Sequence, residues 1–405
     1  MAKKTQRLVL ILVLIPLLYF NGRLLHTPNF KSTDHGYYNE DVYRQLAFLK
    51  EAIDNGADKE MQDYFPEGFV FLNVLYGLTW CELAENLNQE SPEFREAQEE
   101  VIKTYKKLNW ATTKAIFSEG MKPERGVFYS GWKNFFLARI IKGGLDGEDS
   151  LLRSEFENAT SSIVAAYEES ECQFLDSYPG LAWPADNVIA IASVAIYNQL
   201  IGQKHRGFLK RWKHALLKNL DKNGLIPHQT QSGTDKVIEG ARGSSQSLTL
   251  IFLKEFAPEI SAEHFNKYRS LFLTSRIGLP GILEYPMGTV GNGDVDSGPV
   301  LFGVGGSASI VGMRTLAAYD DFFVSKGISN SVEAFGVPYS LCGKKKYLFG
   351  KMPMADAFIA WANSTAAPDQ TSGKVPFEEN WRLKFLVPSS LLMLALLLLL
   401  ARTFR

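Results

Sequence analysis

Two carboxylates stand two residues apart in a glycine-rich stretch of this 405-residue chain, at Asp294 and Asp296 within residues 291–299. Glu284 and Tyr285 precede them. Paired carboxylates in a concave site suit general acid/base chemistry. The same pair could hold a divalent cation, although the spacing is not that of an EF-hand loop. Asp296 equally suits an N-cap, because Ser297-Gly298-Pro299 reads as a helix start. A second stretch, residues 178–187, sets Tyr178 and Trp183 around Asp186. Aromatic faces beside a carboxylate suit a sugar or an isoprenoid, with Asp186 as acid or base. The rings could instead plug a mouth, and Asp186 could cap the helix that follows. A third stretch carries His228 and, further on, Glu239 and Arg242 before Gly243-Ser244-Ser245. An Arg–carboxylate pair there could fix a substrate, shift the Glu239 pKa, or simply close the loop as a salt bridge.

The candidate acids and bases are therefore Asp294, Asp296, Asp186 and Glu239. Tyr178, Trp183, Arg242, His228, Glu284, Tyr285, Tyr129 and Trp132 are candidate substrate contacts. Tyr64 and Glu67 extend that lining, and residues 34–38 could fold over it or act as a spacer. His228 is the one histidine framed by Gly and Pro; His205, His214 and His264 fall on charged helices and are expected in solvent. No two histidines have ligand spacing, so no metal is expected. No P-loop, no GxGxxG after a strand and no GxSxG occurs, and no cofactor is expected. Cys81, Cys172 and Cys342 lack CxxC spacing and a neighbouring His; one bridge with one thiol left over is possible.

The elements that must position these residues are helical. Strand alternation is nearly absent, and an aromatic, Gly or Pro cluster opens six times into an apolar, small-residue helix. These helices are expected at 69–87, 135–141, 187–200, 248–256, 300–318 and 355–363. Between them run amphipathic, charged helices at 40–52, 92–117, 151–169, 205–220, 261–275 and 319–335. A period of roughly 50 to 65 residues signals repeats. Alternating inner and outer helices describe an all-α fold, an (α/α)6 toroid of six hairpins. An open α-solenoid is the competing arrangement. In a toroid the segments leading into the inner helices share one mouth, and the helix N-termini favour anionic groups there.

The two ends differ from the body. Residues 8–20 are an apolar run behind Lys3, Lys4 and Arg7, and 385–401 is a second run ended by Arg402 and Arg405. The first reads as a signal anchor, with a cleaved signal as the alternative. The second, at 1.5 Å per residue, covers about 25 Å, near the lower limit for a span. Basic residues outside both runs place both termini in the cytoplasm and the body outside it. Three regions result: 1–25, a body at 26–380, and 381–405. Lys and Arg number 43 against 44 Asp and Glu, which argues against nucleic acid as a partner.

The body resembles the six-hairpin α/α-toroid superfamily, which includes glycoside hydrolases, polysaccharide lyases and sugar epimerases. A shorter likeness lies at Gly180-Leu181-Ala182-Trp183-Pro184-Ala185-Asp186-Asn187-Val188, which resembles a stretch of the linalool dehydratase/isomerase family. That family is also an α/α toroid associated with membranes or the periplasm. Its cysteines around this stretch have no counterpart here, where Ala182, Trp183 and Ala192 stand. These likenesses imply a membrane-anchored hydrolase or lyase acting on glycans. The alternatives are a lyase or isomerase on an isoprenoid or lipid-like alcohol, and a glycan-binding scaffold without catalysis.

Overall fold

The computed structural model describes residues 2–366 and 380–404; the stretch 367–379, assigned above to the body, lies outside the described residues. Helices dominate them, with two apolar helices at the ends. After α1 (Ala2–Arg23), the chain forms α2 (Glu40–Asp54), short α3 (Ala57–Tyr64) and α4 (Gly68–Ala84). Next come α5 (Pro92–Leu108), short α6 (Ala111–Lys114) and α7 (Gly126–Lys142), then α8 (Ser150–Glu168) and α9 (Pro184–Leu200). They are followed by α10 (Arg206–Leu216) with α11 (Gly243–Leu253), and α12 (Pro258–Phe272) with α13 (Gly306–Ala318). Last are α14 (Phe322–Phe335), α15 (Pro353–Asn363) and α16 (Trp381–Thr403).

Sequence decides which helices are covered. In α4 and α9 nearly every side chain is buried, so neither shows a polar face. In α10 only Phe208, Trp212 and Leu216 are buried while Lys and Arg face outward, the stripe of a helix lying over a core. Local chemistry sets the starts: Ser91 accepts from Phe94 N at 3.1 Å with Pro92 in the first turn of α5, and Asp149 accepts from Leu151 N at 2.8 Å before α8.

The apolar helices pack in succession, α4 on α7, α7 on α9, α9 on α11, α11 on α13 and α13 on α15, and α15 packs back on α4. Small residues allow the close approaches. A Cβ at Gly77 of α4 would lie 2.0 Å from Phe136 Cζ of α7, and one at Gly131 would lie 3.0 Å from Ala190 Cβ of α9. At the C-terminal ends, Glu82 of α4 accepts from Arg139 of α7 at 3.1 Å and from Arg314 of α13 at 2.7 Å. Arg314 also donates to Trp361 O of α15 at 2.9 Å. One buried ion cluster thus ties four of the apolar helices together.

Short antiparallel hairpins occupy the connections: β1 (Phe30–Thr33) with β2 (Gly36–Asn39), β6 (Leu273–Arg276) with β7 (Leu279–Ile282), β8 (Val300–Leu301) with β9 (Val304–Gly305), and β10 (Tyr339–Leu341) with β11 (Lys344–Lys346). β3 (Leu181–Ala182), β4 (Gln229–Gln231) and β5 (Val237–Glu239) form one three-stranded sheet. Several expected helix limits shift for this reason. Residues 300–305 turn back as β8–β9, so α13 begins at Gly306 rather than 300, and 273–276 are strand rather than the end of α12. Tyr129 and Trp132 lie inside α7, which begins at Gly126. The 92–117 helix breaks at Asn109 and Trp110. Residues 34–38 fold into β1–β2, and Thr33 Oγ1 donates to Asn86 O at 2.6 Å, at the C-terminal end of α4. His205 and His264 are buried against expectation, because each faces inward on its helix, while all three cysteines are unbridged.

Both end helices are long and apolar enough to cross a membrane. They pack on each other: Ser389 Oγ donates to Asn21 Oδ1 at 2.7 Å, and Arg7 Nε donates to Thr403 Oγ1 at 3.1 Å. Leu24 and Trp381, both buried, seat this pair on Leu279 and Ala334 of the body.

Candidate active site

The residues that lead into α4, α9, α11 and α13 lie close enough to bond or to sense one another's charge. Arg242 stands immediately before α11, with only 1% of its side chain exposed. Its Nε donates to Glu284 Oε1 at 2.8 Å, and its two terminal nitrogens donate to Asp294 Oδ2 at 2.5 Å and Oδ1 at 2.9 Å. This is the bidentate arrangement that the guanidinium fork favours. Glu239 lies further off, at 3.9 Å, and the guanidinium rests 5.4 Å from the Tyr285 ring centre. Gly243 has no side chain because a Cβ there would stand 1.9 Å from Leu283 O; that closeness lets Gly243 N donate to Glu284 O at 2.7 Å.

The two partners of Arg242 respond in opposite ways. Glu284 is fully buried; Ser244 Oγ donates to its Oε1 at 2.7 Å, while Oε2 has no partner. Burial therefore raises its pKa despite Ser244 and Arg242. The hydrogen bonds from Arg242 hold Asp294 below its ordinary value. Asp294 also accepts from the backbone N of Asp296 and of Ser297, both at 3.1 Å, an Asx turn. Because Asp294 closes this turn and α13 begins only at Gly306, ten residues past Asp296, Asp296 caps no helix. Its carboxylate has no hydrogen-bond partner among the described residues. Protein crowding and the neighbouring Asp294 raise its pKa.

His228 is buried, and burial with the nearby Arg242 lowers its pKa to about 3. It is neutral, its Nε2 accepts from Arg242 Nη1 at 3.3 Å, and its proton sits on Nδ1, which has no partner. His228, Asp294 and Asp296 bring possible ligand atoms within 4.8 Å of one another, a set that could hold a cation. Arg242 already bonds two of the three and supplies a positive charge there.

Asp186 stands in the first turn of α9, buried, but does not cap it. Ser177 Oγ donates to its Oδ2 at 2.6 Å and Trp132 Nε1 to its Oδ1 at 3.3 Å. Burial raises its pKa to about 6, the two donors opposing the shift and Asp296 adding to it. Glu67, immediately before α4, is raised to about 7 by burial and by Asp296 and Asp186. The Tyr178 hydroxyl donates to Glu67 Oε2 at 3.4 Å, and its ring meets Trp183 edge-on at 5.7 Å. Tyr178 itself is held protonated by burial and by Glu67. Three carboxylates from three lead-in segments thus sense one another's charge. At neutral pH such a set can hold a proton on one carboxyl and a negative charge on another, the condition for paired acid and base roles.

The structure gathers Asp294, Glu284, Glu239, His228, Arg242 and Tyr285 around one guanidinium, and Asp186, Trp132, Tyr178 and Trp183 around Glu67. Asp296 links the two groups electrostatically. Tyr129 stands apart: it is buried, and its hydroxyl donates to Leu108 O at 2.7 Å. Sequence reasoning places Glu67 only in an aromatic lining. Its position just ahead of an apolar helix, like that of Arg242, is the signal that could have promoted it. Ser177 and Ser244 carry no such signal. Set against known proteins, the chain matches no protein-family model, and no curated protein matches it at a significant level.

Proposed function

We propose that the chain is a membrane-anchored enzyme that acts on glycans by general acid/base catalysis, as a hydrolase or lyase. In this reading the six hairpins close into an (α/α)6 toroid, supported by the packing of α15 back onto α4. α1 and α16 cross the membrane and hold the body outside the cytoplasm, supported by the basic residues beyond each apolar run. The observation that carries the assignment is the convergence of Glu67, Asp186 and Asp296, with Glu67 raised to about 7 and Asp186 to about 6. Glu67 serves as the acid that protonates a leaving oxygen, and Asp186 or Asp296 as the base or nucleophile. Tyr178, stacked on Phe128, and Trp183, edge-on to Tyr178, supply aromatic surface beside Glu67 for a sugar.

The test is turnover of a panel of neutral, acidic and amino-bearing oligosaccharides by the full chain and by Glu67→Gln. The expected loss in the variant is about 10²–10⁴-fold, the usual worth of a positioned acid. Unchanged turnover by Glu67→Gln removes that role. Turnover of a prenyl alcohol with none of any glycan replaces the reading with dehydratase or isomerase chemistry.

A further inference from the structure

We infer that the mouth-side rim of the body is a membrane-seated surface, and that the carboxylate cluster lies on the side that faces the lipid. This rests on the reading of α1 and α16 as membrane spans.

The direction of α1 carries the argument. Phe20 packs edge-on against Phe335 at 5.2 Å, Arg23 Nη1 lies 3.5 Å from Glu333, and the His26 carbonyl accepts from Asn330 at 2.7 Å. As α1 descends along the body, its partners move from the C-terminal end of α14 toward its middle. The two helices are antiparallel, so the apolar part of α1 leaves the body past the C-terminal end of α14. The chain turns into α15 at that same end, where Glu67, Asp186, Arg242 and Asp294 also gather. α16 follows the same path in reverse, with Trp381 on the body and Ser389 already beside Asn21. The bilayer therefore lies on the side of this cluster.

Exposed apolar side chains are distributed to match. Among the described residues, Ile277, Leu301, Phe302, Leu341 and Phe349 are all exposed and lie between α12 and α13 or between α14 and α15, and exposed Phe335 ends α14. Ile277 is 72% exposed and Phe302 80%. At the opposite end, among the described residues, the β1–β2 hairpin and the connections 85–91, 143–149, 201–205, 254–257 and 319–321 expose Tyr37 and Ile201, and the flanking helix ends expose Leu151 and Leu200. Clustered apolar exposure of this kind marks a membrane or partner surface.

Continuity with the spans selects the membrane. The tip of β6–β7 touches α16 where that helix leaves the body: a Cβ at Gly278 would lie 2.7 Å from Lys384 Cβ and 3.1 Å from Phe385 N. Arg276 Nε donates to Phe302 O at 3.0 Å, which couples the tip of β8–β9 to that of β6–β7. Arg23, Arg382 and Lys384 stand at this level, where basic side chains flank a hydrocarbon core. β9 leads directly into α13, and β7 leads directly to Glu284. The hairpins that carry Ile277 and Phe302 thus adjoin the cluster itself. A glycan carried on a lipid reaches Glu67 and Asp186 without leaving the membrane surface.

The β10–β11 tip offers a native reporter, since Cys342 is exposed beside Leu341 while Cys81 is buried. The experiment labels Cys342 with a polarity-sensitive thiol dye in the full-length Cys172→Ser protein, reconstituted in phosphatidylcholine vesicles with or without brominated acyl chains. Phe302→Cys, Leu394→Cys and Leu151→Cys, each made with Cys342→Ser as well, report the rim, a span and the far end. Labels at Cys342 and Phe302→Cys should lose about half their emission to the brominated lipid, as for groups seated about 5–10 Å into the boundary. The Leu151→Cys label should lose none. A quenched Leu394→Cys label beside unquenched rim labels overturns this inference alone. An unquenched Leu394→Cys label overturns the spanning reading beneath it.

Discussion

Arg242→Met separates the two arms of the guanidinium cluster. One arm ends on Glu284, fully buried, with one carboxylate oxygen already unpartnered. The other ends on Asp294, whose side chain is 47% exposed. Removing the cation from a buried carboxylate costs about 3–5 kcal/mol, because the charge is left without compensation. Water screens the exposed arm, so Asp294→Asn should cost less than about 1 kcal/mol. Arg242→Met/Glu284→Gln removes both charges and should recover much of the single-variant loss. The pH dependence follows from Glu284. Its folded pKa is raised, and losing Arg242 raises it further. A carboxyl raised in the folded state stabilises below its unfolded pKa, and that contribution is lost as pH rises through the folded value. The Arg242→Met deficit should therefore grow as pH rises above the ordinary glutamate range and narrow toward it. Equilibrium urea unfolding in detergent, followed by tryptophan fluorescence, measures each value. A deficit below about 1 kcal/mol for Arg242→Met, or an equal one for Asp294→Asn, refutes the reasoning.

Glu67→Gln should show a related pH signature. The shift from 4.5 to about 7 is worth at most about 3 kcal/mol, lost by the wild type as pH rises through that window. Thermal unfolding should show the variant gaining on the wild type between pH 5 and 8; a constant difference would count against the raised pKa. Gly77→Ala drives a methyl into Phe136 between α4 and α7 and should cost about 1–3 kcal/mol by denaturant unfolding. Gly207→Ala, in α10 with its nearest neighbour the flexible end of Arg211 at 3.6 Å, should instead stabilise by about 0.5–1 kcal/mol. Equal effects at the two glycines would mean that packing between the apolar helices does not discriminate.

Much of the helical order was legible because it rests on local patterns. The uniformly apolar run of α4 and the Phe208-Trp212-Leu216 stripe of α10 state their burial in sequence. The terminal apolar helices announce themselves the same way. The hairpins were not legible, because β8 and β9 are two residues long and offer no alternation to read. Their presence moved the start of α13 and freed Asp296 from a capping role. Within the site, sequence reasoning pairs Arg242 with its neighbour Glu239, whereas the structure bonds it to Glu284 and Asp294, which lie 42 and 52 residues further along the chain. The role of Glu67 was not legible either, since its raised pKa comes from burial and from Asp296 and Asp186, both far away in the chain. His205 and His264 were misplaced for a simpler reason: a charged helix still has an inner face.

Titration of the Glu67 carboxyl, by ¹³C-detected NMR of the glutamate-labelled full chain in detergent and assigned by its absence in Glu67→Gln, tests the shared acid/base site most directly. The account predicts a midpoint near 7 that falls in Asp296→Asn, as a like charge is removed. A midpoint near 4.5, unmoved by Asp296→Asn, would contradict it.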